Sequence, residues 1–269
     1  MSNRTRAFEL DLLRGWAILM MIFHHLSYDL LYLFEIELGR YIESDTYIYI
    51  VHPIMLIVFT GVSGICCVFS KNNFKRSLKM LIAALALSIG MAIASWLTQS
   101  SLYVYFNILH LVTVGTFSYA LIQKVESTRP SHDNEVTTGK KFAINPKFVT
   151  HLLILLAASV IFISAIFISR FDHVSDNVLL LPFGIIPRGI GGMGDYLPIV
   201  PWLGFFLTGV VVGRLFYKSK ETLFPNTPVW VRKAGAPLEW MGRHSLWVYL
   251  LHQPLIMIIL YAGRALKIW

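Results

Sequence analysis

The stretch ELDLLRGWAILMMIFHHLSYDL (9–30) combines an apolar run with Asp11, Arg14, His24, His25 and Asp29. About 20 predominantly apolar residues at 1.5 Å each cross the hydrocarbon core of a bilayer, so the run is read as a transmembrane helix. It is not read as a cleaved leader, because its apolar core is too long and no small-residue cleavage site follows. Outside this stretch the chain keeps the same character. Of 269 residues 56% are hydrophobic and 14% charged, and the mean hydropathy is +0.62. Soluble domains carry roughly 25% charged residues, so a soluble enzyme is excluded and an all-α, polytopic integral membrane helix bundle is predicted.

Further spans are placed at 47–69, 77–97, 102–123, 149–169, 196–217 and 244–264, with the first at 11–34, giving about seven transmembrane helices. The net charge of +8 is read through its distribution. An N-terminus inside puts every Lys and Arg on the cytoplasmic side except Arg40, Arg170, Arg188, Arg264 and Lys267. The basic excess therefore has a topological explanation, and no nucleic-acid partner is expected. Cys66 and Cys67 are adjacent in an apolar run and read as packing residues. The polar stretch 126–147 is a cytoplasmic linker within a single domain over 1–269, dividing a four-helix from a three-helix half. The segment 177–195, broken by Pro182, Pro187 and glycines, is read as a re-entrant or lid segment on the outer face.

Ionisable residues inside a membrane are costly and mark functional sites. At 100° per residue, Arg14 and His25 are eleven steps apart and return to within about 20° of one another. Asp29 follows His25 by four residues and Asp11 precedes Arg14 by three, so these four form one stripe, with His24 about 100° away. A histidine with a carboxylate one turn away suits general-base chemistry, although the pair also suits a helix-tying hydrogen bond. His25 lies about 16 Å along the helix from Arg14. His252 is about 12 Å inside the last span, His110 about 12–14 Å down the fourth, and His52 about 7 Å below the outer surface. Three of these histidines thus fall near the midplane. No spacing of the His-Glu-x-x-His kind supports a metal, and none is expected.

Five blocks, ELDLLRGWAILMMIFHHLSYDL (9–30), FTGVSGICCVFSKNNFKRSLKM (59–80), YFNILHLVTVG (105–115), DYLPIVPWLGFFLTGVVVGR (195–214) and MGRHSLWVYLLHQPL (241–255), together resemble the bacterial branch of the heparan-alpha-glucosaminide N-acetyltransferase catalytic-domain family. The wider superfamily of membrane acyltransferases has an Arg, ten residues, then a catalytic His, which falls here on Arg14 and His25. The resemblance implies transfer of an acetyl (acyl) group from cytoplasmic acetyl-CoA, as co-substrate, to a sugar amine or hydroxyl on the far side. Lysosomal members carry more spans and a larger lumenal portion, so it implies the superfamily reaction rather than the heparan substrate.

On that reading His25 is the general base or an acetyl carrier, oriented by Asp29, with His110 and His252 donating to the oxyanion or lining the acyl path. Arg14, with Asp11 behind it, and Lys71, Lys75, Arg76 and Arg243 face the CoA phosphates. His24, His52, Arg188, Asp195 and Trp202 are assigned to the acceptor side, Trp202 serving equally as an interfacial anchor. The expected partners are membrane lipid and a carbohydrate or glycolipid acceptor, with a homodimer allowed, in a bacterial inner (plasma) membrane. A proton-coupled secondary transporter or exporter is the rival, since midplane His and Asp suit it too. The paired broken helices common in such transporters are not found. A retinal-type receptor is disfavoured because the last span has no Lys before Lys267. A catalytically silent assembly protein fits poorly with the polar stripe.

Overall fold

The computed structural model describes residues 7–98, 104–128, 146–171, 175–188, 190, 195–217 and 220–267. Eight α-helices follow in chain order: α1 (Phe8–Tyr32), α2 (His52–Cys67), α3 (Asn73–Thr98), α4 (Ile108–Thr128), α5 (Pro146–Ile168), α6 (Ile199–Phe216), α7 (Val229–Arg243) and α8 (Ser245–Ala265). One π-helical turn, Tyr47–Val51, leads into α2. Six helices among the described residues are long and apolar enough to cross a membrane. A seventh span is reached when α1 is taken with the 3-10 helix Glu37–Glu43, which turns back from it by 120°. The protein is therefore a polytopic helical membrane protein. The charge and the histidines of α1 lower its apolarity, and its 25 residues supply the length.

The chain divides into two compact units, residues 1–62 with 217–269, and 63–216. The division falls inside α2 and after α6, not at the 126–147 linker, of which 129–145 lie outside the described residues.

In the first unit α1 is gripped by α7, a helix in a stretch that hydropathy assigns to an inner connection. The contact is backbone to backbone. A Cβ on Gly15 would stand 1.8 Å from the Leu238 carbonyl oxygen, and one on Gly242 would stand 1.8 Å from that of Asp11. Such small-residue contacts let helices approach where lipid removes the hydrophobic drive. In α7 the buried residues Gly235, Glu239 and Gly242 recur at helical spacing, so one face is dictated by α1. Glu9, buried at the start of α1, accepts from Thr222 Oγ1 at 2.7 Å and the Leu223 amide at 2.9 Å, tying down the chain before α7. At the other end of α1, Gly39 approaches the Ser27 carbonyl, and Ser27 Oγ donates to Tyr41 Oη at 2.7 Å.

In the second unit α6 is the centre, packed by α4 and α5, with α3 against α4. Phe206 is fully buried where a side chain at Gly115 would lie, and Phe162 does the same at Gly204. Arg214 donates to both Glu126 oxygens, at 2.6 and 2.9 Å, and through Nε to His151 at 3.0 Å. The segment read as re-entrant contains a 3-10 helix, Val178–Phe183, capped by Asn177 and ended by Gly184 at φ +98°. Residues 189 and 191–194 of that segment lie outside the described residues.

Candidate functional site

Two clusters sit along α1 within the first unit. Near its start, Asp11 is buried and faces Arg243, with Nε to Oδ2 at 3.4 Å, while Arg243 Nη2 also donates to Glu239 at 2.6 Å. Arg14 donates from Nη1 to the Gly242 carbonyl at 3.4 Å, and its Nη2 is buried without a hydrogen-bond partner among the described residues. Asp11 thus forms an ion pair with Arg243 of α7 beside its place on the Arg14 stripe. Two carboxylates already engage Arg243, which weakens it as a free grip for phosphate. Arg14 keeps an unspent donor.

About three turns beyond Arg14 on α1, four histidines are brought together. The ring centroids of His25 and His252 are 4.9 Å apart, those of His24 and His25 are 5.5 Å apart, and those of His24 and His52 are 4.9 Å apart. His24 Nδ1 also lies 2.9 Å from Tyr47 Oη. The helical-wheel separation of His24 from the stripe is real, but it turns His24 toward His52 rather than away from the cluster. No group of His, Cys, Asp and Glu among the described residues has a metal-holding arrangement.

Hydrogen bonding fixes the chemistry of two α8 side chains. His252, only 8% exposed, has Nδ1 against the Tyr249 carbonyl. A carbonyl can only accept, so Nδ1 carries the proton and Nε2 of the neutral ring presents a lone pair. That atom is buried with no partner among the described residues. With Nδ1 turned to the Tyr249 carbonyl, Nε2 is the ring atom of His252 left to meet a ligand. Gln253 Nε2 donates to Asp29 Oδ2 at 2.8 Å. No hydrogen bond joins Asp29 to His25 among the described residues, so α8 rather than the neighbouring turn of α1 claims the carboxylate. Gln253 Oε1, like His252 Nε2, is buried without a partner among the described residues.

The remaining sequence-predicted residues belong to the second unit. His110 lies in the first turn of α4, not deep within it, because the helix begins only at Ile108. Its Nδ1 is 2.8 Å from Oδ1 of the helix-capping residue Asn107. Arg76 donates to the Cys66 carbonyl at 3.1 Å, satisfying the end of α2, while Lys71 and Lys75 are exposed. Arg188 is exposed, 4.0 Å from Asp176, Trp202 contacts the Phe205 ring, and Asp195 is half-buried. Two contributors to the first-unit site, Gln253 and Glu239, have no counterpart in the sequence reading. Glutamine does not titrate, and Glu239 lies in what reads as a connection. The adjacency of Gln253 to His252 within an apolar run was the available signal.

The chain belongs to the heparan-alpha-glucosaminide N-acetyltransferase catalytic family, matched over residues 6–130 and 143–254. It is accordingly an acetyltransferase of the membrane. No curated protein and no solved structure matches it.

Proposed function

We propose that the protein takes an acetyl group from cytoplasmic acetyl-CoA and passes it to an amine or hydroxyl of a carbohydrate or glycolipid at the opposite face of a bacterial inner membrane. The observation that carries this reading is the His25–His252 pair, with rings 4.9 Å apart, in which His25 shares α1 with Arg14 and His252 comes from α8. Arg14 and His25 are about 16 Å apart along α1. That length suits a donor whose charged nucleotide end rests near Arg14 while its thioester reaches the histidines.

Arg14 supplies the unpartnered Nη2 to a phosphate oxygen of CoA, a charge-assisted bond in a site already shielded from water. At the histidine level the acceptor nitrogen or oxygen attacks the thioester carbonyl and loses its proton to His25. The carbon–sulfur bond then breaks, and CoA leaves as the thiol once protonated. His252 stands beside His25 with its lone pair directed by Tyr249. This geometry favours direct transfer with a base, and an acetyl-His25 intermediate would use the same ring.

Acetyl-CoA should raise the melting temperature of the purified protein, because a ligand that binds only the folded state stabilises it. An unchanged melting temperature at saturating acetyl-CoA would remove the donor assignment. His25→Ala should retain that thermal response and lose transfer by about 10²–10⁴, the usual range for a general base. Wild-type turnover in His25→Ala would exclude His25 from the chemistry.

A further inference from the structure

Adjacent residues of α8 address α1 at two successive levels. His252 lies against His25, and Gln253 reaches Asp29 one turn further along. Each of the two side chains spends one polar atom on protein and leaves the other buried. His252 gives its Nδ1 proton to Tyr249, leaving the Nε2 lone pair. Gln253 gives an amide hydrogen to Asp29, leaving Oε1. The carboxylate is an acceptor, so it holds the amide with nitrogen toward Asp29 and oxygen away from it. Both orphaned atoms are therefore hydrogen-bond acceptors. A buried acceptor without a donor costs about 1–3 kcal/mol, and two on consecutive residues of α8, one beside His25 and one beside Asp29, call for a ligand that brings polar hydrogens.

We infer that His252 Nε2 and Gln253 Oε1 form a paired acceptor site for the polar hydrogens of the group being acetylated, with Asp29 as a positioning residue that fixes the Gln253 amide. The inference rests on the acetyl-transfer reading above and adds to it the residues that recognise the acceptor. The shared ligand chemistry is an amino or hydroxyl head group that donates hydrogen bonds. An amine that arrives as its ammonium has three polar hydrogens: one passes to His25 and frees the lone pair for attack, and the two that remain can reach the two atoms. A single hydroxyl supplies one. The site has no use for a group that only accepts, such as a carboxylate or phosphate. In this arrangement Asp29 acts through Gln253, not through His25.

The test uses the full chain in lipid nanodiscs with acetyl-CoA as donor and two probes, glucosamine for the amine and glucose for the hydroxyl. Gln253→Leu keeps the side-chain volume and removes both polar atoms. It should raise the acceptor KM about tenfold or more while leaving the acetyl-CoA KM unchanged. Gln253→Met serves the same purpose if the leucine variant does not fold. The double variant Asp29→Glu with Gln253→Asn moves one methylene across the pair and should recover most of the acceptor KM, a rescue that simple packing would not give. An unchanged acceptor KM in a folded Gln253→Leu or Gln253→Met protein would show that the two atoms are met by water only, and would overturn the inference. Equal rises in both KM values with a lowered melting temperature would also overturn it, making Gln253 a structural residue. Wild-type protein that transfers acetyl to neither probe would bring down the underlying reading as well, and that failure is distinguishable because it occurs before any variant is compared.

Discussion

Arg14 and His25 were legible from the sequence because their relation is arithmetic: one helix, a fixed turn angle and eleven residues. What each touches was not, since partners come from helices far away in sequence. Asp11 meets Arg243 and Asp29 meets Gln253, partners from α7 and α8 that the stripe on α1 does not disclose. His110 was misplaced in depth because an apolar count begins the fourth span at 102, whereas Asn107 caps the helix just before Ile108. Arg14 yields the sharpest residue-scale prediction. Arg14→Ala should weaken acetyl-CoA binding by about 1.5–3 kcal/mol, the worth of a hydrogen bond to a charged group, with little change in acceptor KM. Arg14→Lys should recover only part of that, because a lysine keeps the charge and loses the fork of donors. Calorimetric titration with CoA is the measurement, and equal affinities for the wild type and Arg14→Ala would separate Arg14 from the donor.

Among the elements, α7 is the one that hydropathy alone does not disclose. Its mixed composition and internal Pro237 resemble a connection, and its helical signal lies in the spacing of Gly235, Glu239 and Gly242 against α1. The glycines matter because of where they point. A side chain at 242 meets backbone oxygen, which cannot rotate aside, so the two helices must separate to admit even a methyl group. Gly242→Ala should therefore destabilise the protein by several kcal/mol, by analogy with overpacking in a well-packed core, and disturb Asp11 and Arg14 with it. Gly90 is the control: a Cβ there meets nothing within 4 Å, on a helix that stands largely exposed. Gly90→Ala should change stability by no more than about 1 kcal/mol, and in the stabilising direction, as helix propensity requires. Thermal unfolding followed by loss of the detergent-soluble monodisperse fraction compares the two, and equal effects would refute the close α1–α7 contact.

For the whole molecule, orientation joins the residue chemistry to its biological direction. Lys and Arg bias predicts which side each connection occupies, because retention of positive charge in the cytoplasm acts on short loops. That bias predicts the start of α1, with Arg14, inside and the Glu37–Glu43 turn outside. Charged CoA does not cross a bilayer unaided, so on the proposed function the donor reaches the protein from the compartment that Arg14 faces. The proposed acceptor would arrive from the opposite end of the same helix, with the histidines at the level between the two. Cysteine labelling decides the matter. In a background with Cys66 and Cys67 replaced by serine, Asp45→Cys should react with a membrane-impermeant maleimide on intact cells, and Asn226→Cys should react only after permeabilisation. Both positions are exposed, so accessibility of the side chain does not limit the comparison. The reverse pattern would put Arg14 outside, away from acetyl-CoA, and the direction of transfer argued from the basic residues would have to be inverted.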